Sequence, residues 1–423
     1  MIKKIIKCLK QNNQVTDWLI EENVCNTSEA FYVLQHLETT RVSITTEYKV
    51  TIYHKFNENN RDYLGSSSFL ITHKLSNQAI NKQINDAVYA AGFVKNEYYE
   101  IVKGAKKRSW KEKAITTSPF VVLDQIANAI FKEANEQVKF NSLELFFICK
   151  TIHIINSQNV DLKKALYHMQ VEAIPSYNGK DLKVEVYKEF TYRNLDLSKV
   201  ANDARMAVAD ATSRYFAEKI PEIKKVNVLL KEENTQDFFT AIIDNFSFAD
   251  VYQHSTDKKI GDFIQTNPKG DRLTIGFKTN SPANAFDNDG VILKPIKIVE
   301  KGQLVNYYGS NRYAYYLNMQ PTGNFSMITV KKGLKTQEEL KREPHIEIIA
   351  LSNIQIDIYS GYIGGEVRLA NYFDGEQVIP VSGFSFSGDL NKCLSKLYLS
   401  KETIILDRYE GPRYIKLIDI DIL

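Results

Sequence analysis

Histidines are the residues whose spacing would best reveal a hydrolytic zinc site. Zinc hydrolases commonly carry two histidines one helical turn apart, with a glutamate between them as general base. Neither HExxH nor HExxxH occurs in this sequence of 423 residues. The seven histidines are never paired to bind one ion from one helix: His36, His54, His73, His153, His168, His254 and His345. The residues alone therefore predict no zinc site of this type.

Other motifs with chemical potential are equally weak. Asp287 and Asp289 in FDNDG could reach a hard cation, but an Asx turn ahead of Gly290 explains them equally well. The glycine-rich SGYIGGE at residues 360–366 has strand-like flanks and no following Lys-Ser/Thr, so it favours a bulge or hairpin over a phosphate loop. No GxSxG nucleophile elbow occurs.

The segment DFFTAIIDNFSFADVYQ, residues 237–253, has apolar residues at helical spacing. Phe238, Ile242 and Phe246 share one face, which predicts an amphipathic helix. The segment contains no histidine and no cysteine, so taken alone it is ordinary core.

The surrounding pattern predicts an α+β protein. Residues 41–56 alternate as a half-buried antiparallel strand, and Ser76 is placed to cap a helix. We expect N-terminal two-layer units of antiparallel sheet and helices, followed by a strand-rich C-terminal domain. The predicted boundaries are 1–110 for an N-terminal domain, 111–222 for a middle region and 223–423 for the C-terminal domain.

The composition excludes several classes of protein. The net charge is +3 and basic residues are interspersed with acidic ones, so no nucleic-acid surface is expected. No apolar run approaches the ~20 residues of a membrane span, and the N-terminus lacks a signal-peptide h-region. Cys8, Cys25, Cys149 and Cys393 are far apart, with no CxxC pair. These features predict a cytoplasmic protein with free thiols.

The stretch from FDNDG to YYLN, residues 286–318, resembles a segment of the TldD/PmbA family, once called modulators of DNA gyrase. The family pattern is an Asp-acidic-Gly turn, then I-E-K-G-x-L, then a polar stretch ending in Ala. The matching residues are Asp287, Gly290, Val299, Glu300, Lys301, Gly302, Leu304 and Ala314.

Three further phrases follow the family's order. PTGNFSMITVKKGLKTQEEL matches through Asn324 and Gly333 among others, and VIPVSGFSFSGDL matches through Gly388. Upstream, IINSQNV resembles the family's N-S-x-G turn through Asn156 and Ser157. Asn159 stands where glycine is usual, and asparagine tolerates positive φ well.

The resemblance implies one of two roles. TldD-type chains carry HExxxH on a helix ahead of the Asp-Gly turn and a cysteine near the C-terminus, which together bind zinc. PmbA-type (TldE) chains lack these ligands and pair with TldD to form a protease for unfolded or extended peptides. The segment 237–253 lies where that helix is expected. No histidine lies between Val226 and Gln253, and LDRYEGPRYIKL near the C-terminus has no cysteine.

The resemblance therefore implies a PmbA/TldE-like subunit without its own metal, with zinc expected only in a TldD-type partner. No catalytic or metal-binding residue is assigned. The family-motif residues are interpreted as turn positions: Asn156, Ser157, Asp287, Gly290, Lys301, Gly302, Asn324, Gly333 and Gly388. We expect a dimer, either a homodimer or a heterodimer with a TldD-type chain, and a peptide substrate.

Two alternatives stay open, as does the question whether the chain is itself an enzyme. One is an autonomous metallopeptidase with ligands from distant positions such as His153, His168 or His345. The other is a stand-alone peptide-binding or scaffold protein.

Overall fold

A computed structural model describes residues 1–104, 106–113, 115–180 and 182–423. The N-terminal half contributes one eight-stranded sheet. Its strands are β1 (Asp17–Val33), β2 (His36–Glu58), β3 (Arg61–Ile71), β4 (Arg108–Lys111), β5 (Val138–Asn156), β6 (Asp161–Asn178), β7 (Lys183–Glu185) and β8 (Lys188–Tyr192). The accompanying helices are α1 (Ile2–Gln11), α2 (Asn77–Ala91), α3 (Pro119–Phe131) and α4 (Leu197–Tyr215).

The strand order in this sheet is β3-β2-β1-β5-β6-β4, and β7 and β8 both pair with β6. The pairing is antiparallel except between β4 and β6. Because β1 pairs with β5 from Leu19 to Val33, the sheet is continuous across residue 110. The division of residues 1–222 at that point stays a prediction.

The helices of this half pack on the sheet in two apolar clusters. Helices α1 and α2 pack against β1 and β2 through residues such as Ile5, Ile20, Ile52 and Ile84. Helices α3 and α4 pack against β5 and β6 in a separate cluster. The predicted start of α2 is confirmed, because the Ser76 hydroxyl accepts a hydrogen bond from the Ala79 N–H and caps the helix.

The C-terminal half contributes two more sheets. Its strands are β9 (Glu218–Lys219), β10 (Lys225–Lys231), β11 (Ile275–Phe277), β12 (Ile296–Glu300), β13 (Gln303–Leu304), β14 (Ile328–Val330), β15 (His345–Asp357), β16 (Tyr362–Phe373), β17 (Val378–Ser382), β18 (Phe384–Asp389), β19 (Tyr398–Leu399), β20 (Thr403–Ile405), β21 (Tyr409–Pro412) and β22 (Tyr414–Ile422). Its helices are α5 (Glu233–Asp244), α6 (Phe248–Tyr252), α7 (Asn311–Tyr316), α8 (Gln337–Leu340) and α9 (Leu390–Lys396), with a 3-10 turn at Pro282–Asn284.

One C-terminal sheet has the order β15-β10-β22-β18-β16-β17-β9, with β19 beside β22. The other has the order β13-β12-β11-β14-β21-β20. A single apolar core joins them and includes α5. The predicted α+β class with a strand-rich C-terminal half is confirmed. SGYIGGE forms the turn of the β15–β16 hairpin and the start of β16, as its strand-like flanks predicted. Among the described residues, no helix is both long and apolar enough to cross a membrane.

Candidate functional site

Helix α5 lies where the resemblance places the zinc-binding helix of catalytic relatives. It directly follows strand β10, which lies between β15 and β22 in its sheet. Its inner face carries Phe238, Phe239, Ile242 and Ile243, whose exposure is 0–1%. The Phe239 ring is stacked with the ring of Tyr409, with centroids 6.1 Å apart. This face of α5 is therefore packed in the C-terminal core and is closed to any ligand.

The predicted helix over 237–253 is interrupted. Helix α5 ends at Asp244, where the Asn245 side chain donates a hydrogen bond to the Ala241 carbonyl at 2.7 Å. Ser247 then caps the short helix α6, because its hydroxyl accepts a hydrogen bond from the Asp250 N–H. Capping residues at both ends of the break explain why the apolar periodicity continues while the helix does not.

The outer side of α5 borders a groove of about 550 Å³. Its lining comes from α5, α6 and the β15–β16 hairpin: Ala241, Asp244, Asn245, Asp250, Ile354, Gln355, Ile356, Asp357 and Tyr362. Asp244 accepts a hydrogen bond from the Tyr308 hydroxyl at 3.1 Å, and Asp250 accepts one from the Ser247 hydroxyl. The groove thus combines apolar side chains with carboxylates that already accept hydrogen bonds from hydroxyl groups.

A zinc site of the kind expected in TldD-type chains does not fit these side chains. In the described part of the chain, no three His, Cys, Asp or Glu side chains are grouped so that they could hold a metal ion. On the outer side of α5, the Thr240 hydroxyl donates to the Gln236 carbonyl at 2.9 Å, and the helix carries carboxylates but no histidine or cysteine. Cys393 is buried in α9, and burial raises the pKa of its thiol to about 12. Its proton is therefore retained, and a metal needs the thiolate.

The distant histidines do not form a site together. His153 on β5 pairs with Lys163 of β6, whereas His168 on β6 pairs with Ile148 of β5. Because Ile148 and His153 are five residues apart on β5, the two histidines are separated by five residues along the paired strands. Five residues of strand are roughly 17 Å, and an odd separation places the side chains on opposite faces of the sheet. His345 lies in a different sheet, on β15, where its Nδ1 contacts the Glu343 carbonyl oxygen at 2.8 Å.

Asp287 organises the Asp-Gly turn that carries the family resemblance. It is 5% exposed, and its Oδ1 accepts hydrogen bonds from the N–H groups of Asp289 (3.1 Å) and Val291 (2.9 Å). Its Oδ2 accepts a third from the Asn324 N–H at 3.0 Å. The structure therefore brings the motif residues Asp287, Gly290 and Asn324 into one cluster. Burial, together with the charge of Asp289, raises the pKa of Asp287 to about 6.

Asn156 organises a second turn in the same way. Its Oδ1 accepts hydrogen bonds from the N–H groups of Gln158 and Val160, both at 2.9 Å, and its Nδ2 donates to the Val102 carbonyl at 2.7 Å. The Ser157 hydroxyl donates to Asp17 at 2.5 Å. Asn159 has φ +66°, the conformation expected where glycine is usual.

The two turns meet at the junction between the N-terminal sheet and the C-terminal half. Gly290 has φ +87°, and a Cβ at this position would lie 2.8 Å from Cγ1 of Val160. Next to this contact, the Lys164 ammonium donates to the carbonyls of Ala283 (2.9 Å) and Phe286 (3.0 Å). Burial lowers the pKa of Lys164 to about 8, although the carboxylate of Asp287 opposes that shift. The cluster is a structural tie between the two halves.

The remaining motif residues contact other parts of the C-terminal half. Lys301 and Gly302 form the β12–β13 turn with φ +51° and +85°. Gly333 approaches strand β19 so closely that a Cβ would lie 2.1 Å from the Leu399 carbonyl oxygen. Gly388 lies in β18, opposite Ile363.

Sequence patterns did not single out a further group of residues at the same junction. Tyr53, Tyr99, Asp289 and Arg312 line a cavity of about 210 Å³ between the N-terminal sheet and α7. They come from segments far apart in the chain, so no local spacing could have connected them. The neighbouring acidic turn, with Asp289 two residues after Asp287, was the one signal in the sequence.

Comparisons with known proteins agree with the resemblance. Residues 223–417 match the family described as PmbA/TldA metallopeptidase C-terminal domain. No curated protein sequence matches the chain. The structure of TldE from Thermococcus kodakarensis is similar over 100% of this chain and 99% of that one, with a TM-score of 0.78 and 14% identity.

Two proteins described as modulators of DNA gyrase share the fold. One, from Bacteroides thetaiotaomicron, has a TM-score of 0.79 and 15% identity over 100% of this chain and 97% of its own. The other, from Thermotoga maritima, has a TM-score of 0.75 and 14% identity over 100% of both chains. Residues 223–417 therefore match the PmbA/TldA metallopeptidase C-terminal domain family, and the chain shares the fold of these three structures over its whole length.

Proposed function

We propose that this chain is a PmbA/TldE-like subunit without a zinc site of its own. In this proposal it pairs with a TldD-type chain in the cytoplasm, and together they form a zinc metalloprotease for unfolded or extended peptides. The match of residues 223–417 to a metallopeptidase domain family supports a role in proteolysis. Zinc, which would activate water and polarise the peptide carbonyl, would be held by the partner.

One observation carries the proposal. Helix α5 has phenylalanine and isoleucine at its inner positions, and Asp244 on the groove side is already hydrogen-bonded by Tyr308. A chain built in this way has the family fold without the family's metal chemistry. The groove beside α5 is bordered by strands, so this chain's contribution would be to help hold an extended peptide.

The first test is activity on mixing. The purified chain and an HExxxH-bearing relative from the same genome are assayed separately and together on an unfolded protein and on an extended peptide. We expect no stoichiometric zinc in this chain alone by elemental analysis, and cleavage that requires both chains and is abolished by a chelator.

Two results would contradict this function. Stoichiometric, chelator-sensitive zinc in the isolated chain would favour the autonomous metallopeptidase. Failure to bind the relative, with no gain in cleavage on mixing, would favour a stand-alone peptide-binding or scaffold protein. A matched control replaces Asp244 with asparagine, which removes its negative charge from the groove and should leave zinc content at zero.

An unpaired sheet edge is a suitable surface for a second chain of the same fold. Strand β3 ends at Ile71, opposite Tyr48, whereas β2 begins at His36. In the described chain, residues 36–47 therefore pair with β1 on one side and with no strand on the other. Val42 and Ile44 on this edge are 61% and 73% exposed. Long exposed edges with apolar side chains favour pairing with another chain.

Charges along this edge also suit pairing with a similar strand. If two copies pair antiparallel about Ile44, Arg41 of each lies opposite Glu47 of the other, and Val42 lies opposite Thr46. Opposite charges facing each other across strands stabilise such a pair. A homodimer satisfies this register directly, and a TldD-type chain would use the same edge.

We expect Ile44→Lys to raise the dissociation constant of the assembly at least tenfold. In a homodimer the substitution would bring two lysines together at the contact, and in a heterodimer it would bury one lysine against apolar surface. Sedimentation analysis of the chain alone, and of its mixture with the TldD-type relative, measures the effect. The control is Leu334→Lys, since Leu334 is 86% exposed and lies outside this edge. Equal assembly of the two variants would rule out the 36–47 edge as the contact.

A further inference from the structure

The cavity at the junction of the two halves is built by segments that are far apart in the chain. Tyr53 comes from β2, and Tyr99 and Ile101 come from the loop after α2. Asp289 comes from the Asp-Gly turn, and Arg312 comes from α7. The volume of about 210 Å³ is smaller than the ~300 Å³ at which drug-sized sites begin, yet far larger than one water molecule needs.

Two tyrosine hydroxyl groups line this cavity. Tyr53 and Tyr99 are only 9% and 8% exposed, and their rings meet edge to face at 6.4 Å. Neither hydroxyl makes a hydrogen bond to the described residues of the chain, and neither is sealed off by packed atoms. Because both hydroxyls open onto the cavity, they are free to bond to water or to a molecule bound there. Burial raises the pKa of Tyr99 to about 12, so its hydroxyl keeps the proton and can donate.

The cavity wall also holds one charge of each sign. Asp289 accepts a single hydrogen bond, from the Asn311 N–H to Oδ2 at 3.3 Å, within the described structure. The Arg312 guanidinium donates to the Asn96 side chain at 3.0 Å and to the Tyr313 hydroxyl at 2.6 Å. Both line the cavity, but among the ion pairs of the described residues none joins Arg312 to Asp289. The carboxylate and the guanidinium are therefore both available to a bound molecule.

We propose that this cavity binds a small zwitterion, either a free α-amino acid or a dipeptide. Its ammonium group would be held by Asp289 and the tyrosine oxygens, and its carboxylate by Arg312. An apolar side chain would pack on Leu19, Ile101 and Val102, which complete the lining. An anion such as phosphate would face Asp289, and an apolar molecule would leave both hydroxyls unpaired.

Calorimetric titration of the full chain tests the ligand chemistry. The probes are L-leucine and leucyl-glycine, with N-acetyl-L-leucine and L-leucinamide as matched compounds that lack one charge each. We expect one or both zwitterions to bind, and both capped compounds to bind at least tenfold more weakly. No binding of either zwitterion at millimolar concentration, or equal binding of the capped compounds, would overturn the proposal. The two zwitterions distinguish an amino-acid site from a dipeptide site.

Removing one hydroxyl tests the geometry. Because neither hydroxyl bonds to the protein, Tyr53→Phe and Tyr99→Phe should leave the thermal unfolding midpoint unchanged and weaken zwitterion binding about threefold to tenfold. The control is Tyr89→Phe, since Tyr89 is 73% exposed on α2 and should change neither quantity. Unchanged affinity in both cavity variants would overturn the proposal. These measurements use the isolated chain, so they are independent of whether it pairs with a TldD-type protein.

Discussion

Replacing Asp287 with alanine is expected to lower the free energy of unfolding by about 3–5 kcal/mol. The reason is that one buried carboxylate accepts three backbone N–H groups, from Asp289, Val291 and Asn324. Without it, these donors are left without their acceptor inside a region that is closed to water, and each unsatisfied buried donor costs about 1–3 kcal/mol. Denaturant unfolding followed by circular dichroism measures the change.

The control for this variant is Asn288→Ala, because Asn288 is the exposed residue of the same turn. Its effect should stay within about 0.5 kcal/mol. An equally small effect of Asp287→Ala would show that the turn is maintained by the close Gly290–Val160 contact and not by the carboxylate.

The same residue gives a pH dependence with a definite sign. Its pKa is about 6 in the folded chain and about 3.9 when unfolded, so the folded state binds more protons between these values. Its contribution to stability therefore falls as pH rises from about 4 to 6, by about 3 kcal/mol. Asn at this position does not titrate. The cost of Asp287→Asn should thus be greatest near pH 4 and smallest near pH 7, and a cost that grew with pH would contradict the raised pKa.

Local patterns in the sequence predicted what depends on neighbouring residues. The Ser76 cap, the apolar face of α2 and the positive φ of Asn159 were all visible because each is decided within a few residues. The α+β class followed from such elements. The sequence also indicated that α5 has no metal-binding residues, since a missing histidine needs no structure to be recognised.

Contacts between distant segments were beyond these patterns. Val160 meets Gly290, and Lys164 donates to Phe286, across more than 120 residues of chain. Periodicity shows which face of an element is buried, but not which other element covers it. The cavity tyrosines were missed for this reason, because only the fold brings Tyr53 and Tyr99 into one cavity with Arg312.

The break after α5 illustrates a different limit. The apolar spacing of residues 237–253 continues through Phe246 and Phe248, both 0% exposed, so the hydrophobic pattern alone extends the helix. The helix ends because Asn245 and Ser247 form hydrogen bonds with nearby backbone groups. Such residues compete with helical hydrogen bonding while the buried face stays apolar.

Phe239→Ala is expected to destabilise the chain by about 3–5 kcal/mol, the usual cost of truncating a fully buried phenylalanine. Phe239 is 0% exposed and lies between Phe238, at 5.3 Å between ring centroids, and Tyr409. The matched control is Asp237→Ala, because Asp237 is exposed on the same helix and should change stability by no more than about 0.5 kcal/mol. Denaturant midpoints of the two variants, compared at one pH, give the difference.

The result decides what α5 can do in this chain. If its inner face is core, Phe239→His would bury an imidazole without a partner, and it would lower stability without adding zinc affinity. Loss of stability with no metal uptake, by elemental analysis, is therefore the expected outcome for Phe239→His. Zinc uptake by this variant, or a cost below 1 kcal/mol for Phe239→Ala, would mean that the inner face of α5 is accessible. The proposal that this chain has no zinc site of its own would then be supported only by the absence of histidines from α5.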